Sequence, residues 1–208
     1  AGWQEGSDVG SVKDVNYTGL YTTSYAPSRD GVTLYAVFKR NINKFQILFQ
    51  PTEMVAGDNY LITAYDGTYD WEISSDKYSN NYLLGVRGAA PQGEEGYYIE
   101  VDTTATGWKN VLWTMGGTYS SCTFLNVGNG QYLYSTTGDY TQTSNTATSY
   151  TVARPASGFY FTVKHANNNN YINYNSTYNY FLTSSSVNIQ MYIYRQMKVV
   201  TSCPHCDP

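Results

Sequence analysis

Charge is scarce in this chain. Asp, Glu, Lys and Arg make up only 13% of its 208 residues, with a formal net charge of −4 and an isoelectric point near 5.0. No basic cluster is denser than Lys39-Arg40. Nucleic-acid binding by counterion release needs several cations facing phosphates on one surface, so this composition points away from nucleic acid. No apolar run approaches the ~18 residues of a membrane-spanning helix, and membrane insertion is not expected. Cysteine is also rare. Cys122, Cys203 and Cys206 are an odd set, which argues against a disulfide framework. Histidine occurs only at His165 and His205, and no G-x-S-x-G sequence exists, so no Ser-His-Asp set is indicated. His165, between Lys164 and Ala166 at a strand end, reads as a surface residue. Helical periodicity is missing as well: no 3.6-residue apolar repeat survives over eleven residues.

What fills the chain instead is tyrosine, 23 residues of it, with aromatics at 16% and many Asn, Ser, Thr and Gly. Tyr and Thr favour strands, while Asn and Gly favour turns. Runs of four to eight residues bounded by Gly, Asn, Asp or Ser recur from Phe45 to Gln196, which predicts an all-β protein. The stretch TFLNVGNGQYLYS, from Thr123 to Ser135, has a looser copy beginning at Phe161. Three segments each hold an entry strand, a Tyr-Leu or Tyr-Ile strand and a closing strand. The first has Tyr60-Leu61-Ile62, Tyr82-Leu83 and Val111-Leu112-Trp113. The second has Phe124-Leu125, Tyr132-Leu133 and Tyr150-Thr151-Val152; the third has Phe159-Tyr160-Phe161, Tyr171-Ile172 and Tyr192-Ile193-Tyr194. The first segment is longest and carries an insertion. Three units that cannot each bury an apolar face alone would share one core. The expected fold is a β-trefoil, with a β-sandwich as the alternative.

Residues 1–40 form a separate block. Gly2-Trp3, a polar spacer and then Val32-Thr33-Leu34-Tyr35-Ala36-Val37-Phe38 resemble the second half of a Listeria–Bacteroides repeat, a small β-grasp-like module. That resemblance implies a long surface protein of Gram-positive bacteria or Bacteroidetes. Asn129-Gly130-Gln131-Tyr132-Leu133 after an apolar strand resembles ricin-like and fascin-like trefoil repeats. The Gln-x-Trp triplet of the ricin type is missing, so galactose recognition of that type is not implied. The run from Ala56-Gly57-Asp58 to Met191-Tyr192-Ile193 is similar to domains that follow such repeats in surface proteins of gut Bacteroidetes, which look non-catalytic. The expected organisation is a partial repeat over 1–40, a trefoil-like domain over 41–197 and a linker stub over 198–208. The chain would be a monomeric part of a longer multidomain protein, extracellular or on the cell surface.

Chemistry-bearing motifs are few. Cys203-Pro204-His205-Cys206 is similar to the motif of periplasmic thioredoxin-like oxidases, whose chemistry needs a following helix and a βαβ frame. It reads as linker, with a local disulfide or half of a metal site as alternatives. Asp66, Asp70 and Glu72 lie near Trp71, and Glu94, Glu95 and Glu100 surround Tyr97-Tyr98. A glycosidase needs two such carboxyls, but Asp66-Gly67 reads first as a turn and Glu94-Glu95 as a solvated loop. No metal or cofactor is expected. The aromatic surplus is the functional clue. Tyr69, Trp71, Tyr78, Trp108, Tyr140, Tyr174, Tyr178 and Tyr180 lie in or beside polar loops. Aromatic faces stack on the C–H faces of sugars while Asn and Asp reach the hydroxyls. The candidate ligand-binding set is Tyr69, Asp70, Trp71, Trp108, Tyr178 and Tyr180. Trp113 and Tyr132, at strand spacing, are assigned to the core. The expected function is a non-catalytic binding module with a glycan or a host surface protein as partner. A structural spacer or protein-adhesion domain is the alternative.

Overall fold

A computed structural model describes residues 2–5, 34–37, 42–91, 97–135 and 138–197. The chain divides into two compact units, one of residues 42–197 and one of the remainder. In the latter, strands β1 (Gly2–Glu5) and β2 (Leu34–Val37) pair antiparallel, with Trp3 opposite Ala36. The spacer between them and the Cys203–Cys206 motif lie outside the described residues.

The larger unit is all-β; its described residues hold no α-helix. Its strands are β3 (Ile42–Ile47), β4 (Asn59–Tyr65), β5 (Asp70–Ser79), β6 (Tyr82–Arg87), β7 (Tyr98–Asp102), β8 (Trp113–Thr118) and β9 (Ser121–Asn126). There follow β10 (Tyr132–Ser135), β11 (Thr141–Ser144), β12 (Tyr150–Ala153), β13 (Thr162–His165), β14 (Tyr171–Asn175), β15 (Tyr180–Ser184) and β16 (Gln190–Gln196). Six of these close a ring. β4 pairs with β8, β8 with β9, β9 with β12 and β12 with β13. A bridge from Phe161, just before β13, to Met191 of β16 continues it, and β16 returns to β4. Closure removes the open edges that an unpaired sheet would offer. Three hairpins, β5–β6, β10–β11 and β14–β15, complete the set. Each unit therefore contributes two ring strands and one hairpin: β4, β5, β6, β8; then β9 to β12; then β13 to β16. That is a β-trefoil.

The repeat explains why similar sequence recurs. Ring strands alternate inward and outward, as β9 shows with Cys122, Phe124 and Asn126 buried between less buried neighbours. Trp113, Phe124, Tyr150, Phe161 and Phe181 are among the largest fully buried side chains. The indole N–H of Trp113 donates to the carbonyl of Ile73 (2.8 Å), so its burial leaves no orphan donor.

Several local expectations are corrected. Tyr82-Leu83 lies on the third strand of unit one, whereas Tyr132-Leu133 and Tyr171-Ile172 lie on the second strands of theirs. The true second strand is β5, whose Ser74-Ser75-Asp76-Lys77 run hides the apolar alternation. Residues Trp108–Val111 form a short 3-10 turn, and strand β8 begins only at Trp113. Phe159 precedes β13 and is 72% exposed rather than part of the entry strand. Tyr132 is half-buried. His165 is buried, not superficial: its Nδ1 accepts the N–H of Asn167 (3.0 Å) and its ring packs on Tyr150. Burial lowers its pKa. The insertion in unit one carries β7, which pairs with β3 alongside β16. Phe45, Leu61, Ile99, Val111, Leu112 and Tyr194 form a second apolar cluster there.

Candidate functional site

The three hairpins hold one another in a cycle. The N–H of Thr141 in β11 donates to the carbonyl of Asn81 (3.1 Å), before β6. The N–H of Thr183 in β15 donates to the carbonyl of Asp139 (2.9 Å), before β11. The N–H of Gly85 in β6 donates to the carbonyl of Asn179 (2.8 Å), before β15. Each accepting residue is an Asn or Asp, and each is followed by a tyrosine: Asn81-Tyr82-Leu83, Asp139-Tyr140-Thr141, Asn179-Tyr180-Phe181. In every case the residue after the tyrosine is buried. The cycle thus gathers one tyrosine from each unit where the hairpins meet.

These rings touch. Tyr82 and Tyr180 stack with centroids 4.4 Å apart and planes 29° from parallel. Tyr140 meets Tyr82 edge-on at 5.7 Å. Tyr78, from the far end of β5, and Tyr178, from the β14–β15 turn, flank Tyr180 at 5.0 and 6.2 Å. Tyr78, Tyr140 and Tyr178 remain exposed, Tyr178 to 56%. Polar groups rim the cluster. The Tyr82 hydroxyl donates to Asp139 (3.0 Å), and Asn175 donates its amide to the Tyr180 hydroxyl (3.3 Å). Gln142 donates to the carbonyl of Asn80 (2.9 Å). Desolvation and the Asp139 carboxylate push the Tyr82 phenol up to about 12, so it stays protonated and donates throughout the physiological range.

A second aromatic group lies at the other end of β5. Asp66 accepts the backbone N–H groups of Thr68 and Tyr69 (both 2.8 Å) and the indole N–H of Trp71 (2.7 Å), closing the expected turn. Trp71 stacks on Tyr174 (5.5 Å, 25°) and meets Tyr69 edge-on (6.5 Å). Gly85 makes the first contact feasible. A Cβ there would lie 2.5 Å from Cε2 of Tyr174, so only glycine lets that ring lie across β6. The Arg87 guanidinium lies 3.6 Å over the exposed ring of Tyr69.

The six candidate residues from sequence therefore separate. Tyr178 and Tyr180 sit in the three-hairpin cluster. Tyr69 and Trp71 sit in the second group. Trp108 is half-buried against the β3–β7 cluster, with Lys109 over its ring at 5.7 Å. Asp70 is buried on the face of β5 opposite Trp71, where it accepts from Thr63 (3.4 Å) and Tyr194 (3.5 Å). Burial raises its pKa. Glu72, two residues on, is 5% exposed and raised to about 7, by burial first and by Asp70 second. Tyr82 was legible only as a strand residue. The signal that finds it is the thrice-repeated Asx-Tyr pair rather than the Tyr-Leu pair. Among the described residues no three His, Cys, Asp or Glu side chains come together to hold a metal ion, and no helix is long and apolar enough to cross a membrane. Glu94 and Glu95 lie outside the described residues.

No protein-family model matches the chain, and no curated protein matches it. Among solved structures it is similar to a ricin B-like lectin of Macrolepiota procera in complex with lactose. That likeness has 17% sequence identity and a TM-score of 0.48, and covers 69% of this chain and 98% of the lectin chain. The trefoil assignment rests on the strand pairing itself.

Proposed function

We propose that the chain is a non-catalytic module that binds a glycan on the tyrosine cluster where the three hairpins meet, within a secreted or cell-surface protein. One observation carries this reading: three tyrosines from equivalent positions converge, two more flank them, and three of the five, Tyr78, Tyr140 and Tyr178, keep exposed rings. A sugar ring offers a C–H face to an aromatic and hydroxyls to its rim, and here Asp139, Asn175 and Gln142 stand at the rim. Tyrosine also lends contact area at low conformational-entropy cost, because it has only two side-chain torsions. The buried carboxyls Asp70 and Glu72 sit among Thr63, Tyr194 and Val86, which supports a packing role over acid–base work. The likeness of residues 1–40 to a surface-protein repeat supports the setting.

A glycan array tests the reading, with the native chain beside a Tyr140→Ala/Tyr178→Ala variant and a Trp108→Ala variant. Tyr140 and Tyr178 are both exposed, so the double variant should keep its fold. The expected result is a hit that the double variant weakens by about five- to 150-fold, the loss of two aromatic stacking contacts at roughly 0.5–1.5 kcal/mol each. Trp108→Ala should keep the hit. Absence of any hit, or a hit indifferent to the Tyr140→Ala/Tyr178→Ala substitutions, would count against the site and favour a spacer role.

A further inference from the structure

Arg87 is held in an unusual way for a surface cation. It stands directly across from Trp71 in the β5–β6 pairing, and its guanidinium lies 3.6 Å over the Tyr69 ring. The ion pairs among the described residues are Lys44–Glu100 and Arg195–Asp58, and Arg87 joins neither. The acid of that turn, Asp66, is already engaged by two backbone N–H groups and the Trp71 indole. With its central carbon that close to the ring centroid, the guanidinium has the Tyr69 ring against one side. Its N–H donors all lie in its own plane, so they point outward as a fork that matches two oxygens of a carboxylate or sulfate.

We infer that Arg87, laid on Tyr69 beside Trp71, forms a second sugar subsite, one that takes an acidic sugar bearing a carboxylate or a sulfate. Tyr69, 40% exposed, and the half-buried Trp71 offer apolar surface to the sugar ring, while the guanidinium edge takes its charged substituent. The subsite is built at the opposite end of β5 from Tyr78, so it is separate from the tyrosine cluster. The β14–β15 hairpin ties the two together, since Tyr174 stacks on Trp71 and donates its hydroxyl to Asn179 (2.9 Å), next to Tyr180. The inference rests on the glycan-binding reading and assigns it a further ligand class. The net charge of −4 opposes anions at long range. Acidic sugars should accordingly be caught by the short-range fork, which salt weakens.

Titration calorimetry with three probes tests this: an oligogalacturonate, the neutral oligogalactose of equal length, and a sulfated galactan oligomer. The native chain should bind at least one acidic probe more tightly than the neutral one, and that preference should shrink as salt is raised. Arg87→Gln should lose the preference, a fall of about ten- to hundredfold for a charge-assisted bidentate contact. Arg87→Lys, which keeps the charge but not the planar fork, should lie between. Which acidic probe wins separates carboxylate from sulfate recognition. Equal binding of acidic and neutral probes, or acidic binding unchanged in Arg87→Gln, would overturn the inference while leaving neutral-glycan binding at the tyrosine cluster intact. Acidic binding that needs Arg87 with no neutral binding would uphold it and move the main site away from the tyrosine cluster. Failure of every probe would overturn it.

Discussion

At position 72 a carboxyl group faces inward from a central strand, with Thr63 of β4 opposite on one side and Val86 of β6 on the other. Water reaches only 5% of the residue, and Asp70 adds a second acid on the same face. Burial therefore favours the neutral acid and raises the Glu72 pKa from 4.5 to about 7. The sign of the linkage follows. Between those two values the folded chain holds a proton that the unfolded chain has released, so stability falls as pH rises across that window. The full change from Glu72 is about 3 kcal/mol, taking 1.36 kcal/mol per unit of pKa. Asp70, also raised, acts in the same direction. His165, whose pKa is lowered, acts in the opposite direction and only below its ordinary value near 6.5. We predict that the urea midpoint is higher at pH 5 than at pH 8, and that Glu72→Gln removes most of the difference. A midpoint that rises with pH in the native chain would contradict the placement of Glu72. The residue scale was the least legible in the sequence. Asp70 looked like a sugar-facing acid beside Trp71, but adjacent residues on a strand point to opposite faces, so exposing part of Trp71 buries Asp70.

The β14–β15 hairpin does most to place the aromatic groups. Its turn ends on Asn179, at φ +56°, the left-handed region that Asn tolerates better than most residues. That residue gives its carbonyl to Gly85 and its side-chain oxygen to the Tyr174 hydroxyl. Asn175 fixes the other end of the turn by accepting the N–H groups of Thr177 and Tyr178 (3.0 and 3.3 Å). Asn179→Ala should therefore cost about 1–2 kcal/mol from the left-handed backbone alone. Asn179→Gly should recover the backbone part but not the Tyr174 contact. Chemical denaturation of the pair checks this, and equal stability of the two variants would contradict the turn's geometry. Elements were partly legible. Ring strands such as β9 and β12 announced themselves by short apolar alternation, because each has one buried face, and β4 by a near-continuous apolar run, because both of its faces are buried. Hairpin strands were legible in part: β6, β10 and β14 showed as Tyr-Leu or Tyr-Ile runs, while β5 and β11 did not. β5 runs through Ser74-Ser75-Asp76-Lys77, and β11 is Thr-Gln-Thr-Ser, so their apolar signal is weak even though Ile73, Ser74 and Thr141 are buried. Thr141 meets burial by donating its hydroxyl to the Phe181 carbonyl.

Across the larger unit the pairing forms a closed ring of six strands, with three hairpins linked in a cycle of backbone hydrogen bonds. The three-fold plan was legible because the entry and closing strands of each unit repeat. Its consequence for function was not, because residues distant in sequence, 82, 140 and 180, meet only once the ring is closed. That closure distinguishes two kinds of binding protein. Sites borne separately on each unit would give up to three per chain. A site assembled from all three hairpins can exist only once. The units also differ outside the shared tyrosines: Tyr78 and Tyr178 come from units one and three, and β7 is inserted in unit one alone. The most direct measurement is the stoichiometry of the native chain for its strongest neutral array glycan by titration calorimetry, repeated with Tyr140→Ala/Tyr178→Ala. The account predicts one glycan per chain and binding weakened by about five- to 150-fold in the variant. Three glycans per chain, or full binding by the variant, would contradict it.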